Sequence, residues 1–436
     1  MSAQKFDGMA IVRKAVAALR AAGADQATAS FGCGVQNEMN IDAGKLSLYR
    51  STVNVSLSLT ALTETRKGSV SLNKYDDQSI EAAAAEAVSM ARSSQPDPAN
   101  DISPARPLES FEDGQLEPDS DKMYERLQEF IAYCQERYPI THLEQCVLDF
   151  SRGESFFANS NGAEFEQRGG LYNFSAMFTS KDGGNASSFN YSGAVQKNLD
   201  QPLKDWGSID LLMRQSTEQT VTQPVQGNFS GDLLIAPDCL GDFLGMLDGV
   251  YTSDYPIITG TSPWAAKLGQ AVTSPQLTVR SLPNSPELAA NSPYTGDGFR
   301  TEDCLLIEKG VLRNFSIGLY AANKSGRPRC PSGGGGLMVD PGELGWQDMV
   351  KSIERGLLLM RFSGGSPSDS GDFSGVAKNS YLIEQGKIVR PIGETMIAGN
   401  LAKLFSDVKA ISRERVNYGS AILPWLQAGP ADISGK

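Results

Sequence analysis

The single histidine, His142, sets the chemistry open to this 436-residue chain. A zinc helix of the H-E-x-x-H kind takes two imidazoles from one chain, so the count alone excludes it. A serine triad would have to use His142 as its base, and the chain holds no G-x-S-x-G elbow. In Gly227-Asn228-Phe229-Ser230-Gly231 and Gly371-Asp372-Phe373-Ser374-Gly375 the serine stands one place too late. A cysteine nucleophile meets the same single-base limit, and His142 reads as a partly exposed residue at the start of a strand. Cys33, Cys134, Cys146, Cys239, Cys304 and Cys330 form no C-x-x-C pair and read as reduced, mostly buried thiols.

Oxygen ligands are the other option. Asp297, Glu302 and Asp303 lie close together in TGDGFRTED, but their spacing is not that of an EF-hand, and turn-forming carboxylates account for them more simply. Gly32-Cys33-Gly34 lacks a third glycine, and Gly333–Gly336 is followed by Leu337-Met338 where a phosphate loop has Lys-Ser/Thr. The four-glycine run reads as a loop, either plainly mobile or lying beside a bound chain.

Composition narrows the partners. Against 39 Lys and Arg stand 51 Asp and Glu, a net charge of −12, which argues against direct binding to nucleic acid. No apolar run is long enough to span a membrane, and the N-terminus MSAQKFDGMAIVRKAV has no signal-peptide core, so the expected location is the cytoplasm.

The elements that would position any site are an α+β set. Val12, Val16 and Leu19 predict a helix over 7–22, and strict alternation from Val53 to Ala61 predicts a half-buried strand in an antiparallel meander over 27–72. A second helix runs through Ile80 to Arg92, started by Asp76 or Asp77. Five prolines make 95–119 an extended connector, and a third helix follows on the stripe Met123, Leu127, Phe130, Ile131 and Cys134. Residues 143–196 return to strands turned at Asn161-Gly162 and Asp182-Gly183, and a helix within 205–222 closes the first half. The expected organisation is an N-terminal α+β domain over 1–225, with an antiparallel sheet and packed helices. A β-rich, sandwich- or barrel-like domain follows over 226–436, with a short helix at Trp346–Leu358. Cys304–Ile317 and Ser380–Ile392 are two uses of one hairpin, each an apolar run broken by Glu-x-Gly.

Ser352 to Leu404, with SIERGLLLMRFSGGSPSDSGDFSGVAKNSYLIEQGKIVRPIGETMIAGN at its heart, resembles the C-terminal signature of the TldD/PmbA family. Asn40–Asn73 resembles its N-terminal region through IDAGKLSLYRSTVNVSLSLTA and RKGSVSLNK, and SSQPDPANDI at 93–102 is similar to the connector of the PmbA (TldE) branch. The resemblance implies a relation to zinc peptidases whose catalytic, TldD-like chains carry H-E-x-x-x-H on a helix and a cysteine near the C-terminus. Here the corresponding helix, Pro237–Val250, has no histidine, Tyr418 and Gly419 stand near the cysteine's place, and Thr295–Gly298 is less acidic than the family's usual turn.

The resemblance therefore implies a non-catalytic subunit with no metal of its own. Zinc is expected in a TldD-like partner with which it encloses unfolded peptides as a heterodimer; the alternative is a stand-alone homodimeric peptide-binding protein. Within the family-like loop, Phe362, Gly364, Gly365, Asp372 and Phe373 are the candidate peptide-binding residues. Glycines there would admit a peptide backbone and aromatic rings would pack on its side chains, unless the rings are core anchors.

Overall fold

The computed structural model describes residues 6–393 and 395–435. Helix α1 (Gly8–Ala21) is capped by Asp7, whose carboxylate accepts from Ala10 N–H, and leads into the meander of β1 (Gln26–Asp42), β2 (Lys45–Thr63) and β3 (Arg66–Leu72). Helix α2 (Asp77–Ser93) takes Asp76 as its N-cap. Strand β4 (Arg106–Asp113), helix α3 (Ser120–Arg137) and the long strands β5 (Thr141–Asn159) and β6 (Ala163–Asp182) follow. Strand order is β3-β2-β1-β5-β6-β4, with Asn190–Gln196 also paired to β6.

Two expectations need correction. Within the segment read as a connector, Arg106–Asp113 is a strand, paired parallel to β6 at the sheet edge. An edge tolerates Pro107 because a proline near the strand start removes no ladder bond the sheet needs. The stretch Trp346–Leu358 is helical only over Trp346–Val350, and Arg355–Leu359 is a strand beside Asn228–Ile235.

Along β1 the helices divide the work. Phe31 packs under α1 and α2 with Leu57, Leu59 and Phe156, whereas Met39 and Ile41 lie under α3 with Leu127, Phe130 and Phe174. Helix α4 (Ile209–Glu218) then carries the chain to a β-rich half. There the strand Ala421–Ser434 pairs in turn with Leu337–Val339, Asn228–Ile235, Val408–Asn417 and Thr395–Asn400, so one strand ties two groups of strands together. Helix α5 (Pro237–Tyr251) is packed on this body through Cys239, Leu240, Phe243, Leu244 and Leu247.

Both Glu-x-Gly hairpins form as the sequence implies, with Lys309-Gly310 and Gln385-Gly386 at their tips. All four tip residues have positive φ, the backbone hand that matches the twist of paired strands.

Candidate functional site

The outward face of α5 is a row of glycines. Gly241, Gly245 and Gly249 stand one turn apart, and a methyl group on Gly245 or Gly249 would meet nothing within 4 Å. A helix glycine is destabilising by roughly 0.5–1 kcal/mol relative to alanine, and none of the described residues packs into the space these two leave. The row floors an open groove of about 920 Å³ whose far wall is the loop Phe362 to Asp369, with Tyr255, Pro256 and Thr261 at one end.

The loop is held by α5. Phe362 and Phe373 lie 5.3 and 5.4 Å from the Phe243 ring, and Tyr251 O–H donates to the Ser370 carbonyl at 3.1 Å. Gly371, at φ +89°, sits so near the Tyr251 hydroxyl that no side chain fits.

Three of the five candidate residues, Phe362, Gly364 and Gly365, line this groove. Gly365 faces open space, whereas a side chain on Gly364 would strike the Phe362 ring and the Ser374 carbonyl. Asp372 and Phe373 are directed elsewhere, to a depression they share with Asn400 and Lys403. Phe373 is buried in the aromatic cluster. Asp372 is exposed, and hydrogen bonds from Asn400 and Ser370 hold its carboxyl below the usual range. The sequence reading missed the glycine row; its signal is the i, i+4, i+8 spacing within DCLGDFLGMLDG.

Across the glycine row lies a second cavity of about 240 Å³, for which Gly241 and Gly245 are again lining residues. Its walls are apolar, with Leu244, Leu306, Leu312 and Trp264 among them, and its polar end is made by Asp248, Thr252, Asn314 and Ser316. Burial pushes the Asp248 carboxyl up, and hydrogen bonds from Thr252 and Ser316 only partly reverse this.

At its N-terminus α5 meets the segment around Tyr418. Asp238 is buried there, accepting from Tyr418 O–H at 2.8 Å and Ser192 O–H at 2.9 Å, with the Arg361 guanidinium 3.9 Å away. Arg361 lies over the Tyr191 ring at 3.7 Å and donates to Asn190 Oδ1. Burial, then the neighbouring Asp238, drives the Tyr418 phenol well above its ordinary pKa, so it stays a neutral donor.

These donors do not suit zinc. Cys239 faces the core with its thiol pKa raised by burial, His142 is exposed on β5 in the other half of the chain, and the carboxylates of α5 are spread along three turns. Among the described residues, no three His, Cys, Asp or Glu side chains come together as a metal site. The Asp297, Glu302 and Asp303 group is likewise divided: Asp297 is clamped by Arg329 through Nε at 3.0 Å and Nη2 at 2.8 Å, and Asp303 accepts from Asn284 N–H.

Comparisons with known proteins agree with this architecture. The chain is 24% identical to the metalloprotease PmbA of Escherichia coli O157:H7 over 395 residues, 85% of each chain. It is also 24% identical to a metalloprotease PmbA homolog of Buchnera aphidicola, covering 69% of this chain and 68% of that one. The crystal structure of TldE from Thermococcus kodakarensis superposes with a TM-score of 0.80 at 18% identity, covering 97% of this chain and 99% of that one. Residues 34–91 match the model of PmbA/TldA metallopeptidase domain 1, and residues 226–435 match that of the PmbA/TldA metallopeptidase C-terminal domain. With more than half its length matched by these two models, the chain belongs to the PmbA/TldD family of metallopeptidase-related proteins.

Proposed function

We propose that this chain is the non-catalytic, PmbA/TldE-type subunit of a cytoplasmic zinc peptidase. It works with a TldD-like chain that holds the zinc, and its groove grips the extended, unfolded peptide that the partner cuts. The observation that carries the reading is α5: a helix without an imidazole whose outward side is a row of glycines open to solvent. Backbone can approach such a row more closely than any other helix face. Beside it, strand Arg361–Gly364 pairs on one side with Asp372–Lys378 and, among the described residues, with no strand on the other. On this reading the backbone groups left on that edge pair with an added strand regardless of peptide sequence.

The test is metal content and peptide cleavage, measured on the purified chain alone and after mixing with a TldD-like chain. The expected result is no stoichiometric zinc and no cleavage alone, with cleavage and a one-to-one complex in the mixture. One tightly held zinc per chain together with chelator-sensitive cleavage by the chain alone overturns the reading. A peptide-binding homodimer that gains nothing from the TldD-like chain supports the stand-alone alternative.

A further inference from the structure

We infer that the 240 Å³ cavity behind α5 is a side-chain pocket for a basic residue, Lys or Arg, of a peptide lying in the neighbouring groove, with Asp248 as its counter-ion. The inference rests on the groove's being the peptide site and adds to it a preference that the backbone grip lacks.

Shape comes first. The groove and the cavity share Gly241 and Gly245, so a side chain leaving a peptide in the groove crosses α5 where the helix carries no side chains of its own. The cavity walls are apolar for most of their extent; the polar side chains lining it are Asp248, Thr252, Asn314 and Ser316, with Thr252 hydrogen-bonded to Asp248. Lys and Arg have this same profile, an apolar stem with a cationic tip.

Charge points the same way. Among the described residues, Asp242 and Asp369 are the charged residues lining the groove, Asp248 is the one lining the cavity, and no Lys or Arg lines either space. Asp248 accepts a hydrogen bond from the Thr252 hydroxyl, and the charged group acting on it is another carboxylate, Asp254. One such donor leaves a carboxylate with acceptor capacity to spare, since it offers about four lone-pair positions. A buried charge without an opposite charge is costly, so a cation reaching this end gains a charge-assisted hydrogen bond and relieves that cost at once. A neutral or acidic side chain would leave Asp248 as it is or repel it.

The experiment uses the full chain and fluorescein-labelled, unstructured nine-residue peptides that differ at one central position: Lys, norleucine or Glu. Norleucine keeps the apolar stem and deletes the charge. The Lys peptide should bind about tenfold more tightly than the norleucine peptide, the ratio expected for one charge-assisted contact, and the Glu peptide most weakly. In Asp248→Asn the Lys-to-norleucine ratio should fall to about one.

Equal binding of Lys and norleucine peptides to the wild type overturns the inference while leaving the groove reading intact. A preference that survives Asp248→Asn also overturns it, by moving recognition to Asp242 or Asp369. Failure of every peptide to bind removes the groove reading and the pocket with it. If Asp248→Asn does not fold, Leu306→Phe, which fills the cavity from its wall, must abolish the Lys preference; an unchanged ratio overturns the inference.

Discussion

Asp297 shows how a single residue is committed by its neighbours. Burial alone would push its carboxyl up, but the bidentate Arg329 guanidinium, the Thr295 hydroxyl and the Leu319 N–H reverse this and hold it below the ordinary range. A carboxylate whose pKa is depressed on folding stabilises the protein above its unfolded pKa of about 3.9, and that contribution is lost as pH falls through the folded value. Urea midpoints should therefore begin to fall as pH drops below about 5 and go on falling below the unfolded value of about 3.9, toward the lower folded value. Asp297→Asn, which leaves Arg329 without its partner, should cost about 2–4 kcal/mol at pH 7 and flatten that part of the profile. A variant as stable as the wild type at pH 7 would show the clamp to be ornamental. His142, by contrast, is exposed at the second residue of β5, and His142→Ala should change stability by no more than about 0.5 kcal/mol.

Helix α5 sets stability against function within one element. Because a methyl group on Gly245 enters open space, Gly245→Ala should raise unfolding free energy by about 0.5–1 kcal/mol, measured by urea denaturation. On the proposed reading the same variant weakens peptide binding, because the added carbon occupies the floor of the groove. A gain in stability with undiminished binding would remove the groove from the peptide path. Element types were largely legible from the sequence: the caps Asp7 and Asp76, the alternation in β2 and the two Glu-x-Gly tips all rest on contacts between near neighbours in the chain. Strand β4 was not, because five nearby prolines mask it and its pairing partner on β6 lies 56 residues downstream, Glu109 opposite Phe165.

At the scale of the molecule the two sheets share one apolar layer. Leu148, Phe174, Trp206 and Met213 of the first half pack in the same cluster as Leu234, Leu358, Met360, Tyr381 and Trp425 of the second. Helix α4 lies across the junction, with Gln215 Nε2 on the Met360 sulfur, Gln219 Nε2 donating to the Asn379 carbonyl and Tyr381 O–H donating to Glu218. Halves joined through a common core lose their stability together. Leu358→Ala should cost about 2–5 kcal/mol and shift tryptophan fluorescence and far-ultraviolet dichroism by the same amount. Two separate transitions would show that the halves unfold independently.

The sequence by itself determined what this protein lacks and most of its local geometry. One histidine forbids a two-imidazole centre whatever the fold, and turn and cap residues act on the backbone within a few positions. Tertiary structure alone decided which candidates meet. Phe362 and Asp372 lie on the two strands of one hairpin, yet one lines the groove and the other a depression beside Lys403, because strand pairing and the anchoring of the loop by Tyr251 direct them apart. The same packing leaves Asp248, one acidic residue among 51 in the sequence, at the end of an apolar cavity. Such placement comes from contacts between residues distant in the chain, which no local pattern encodes.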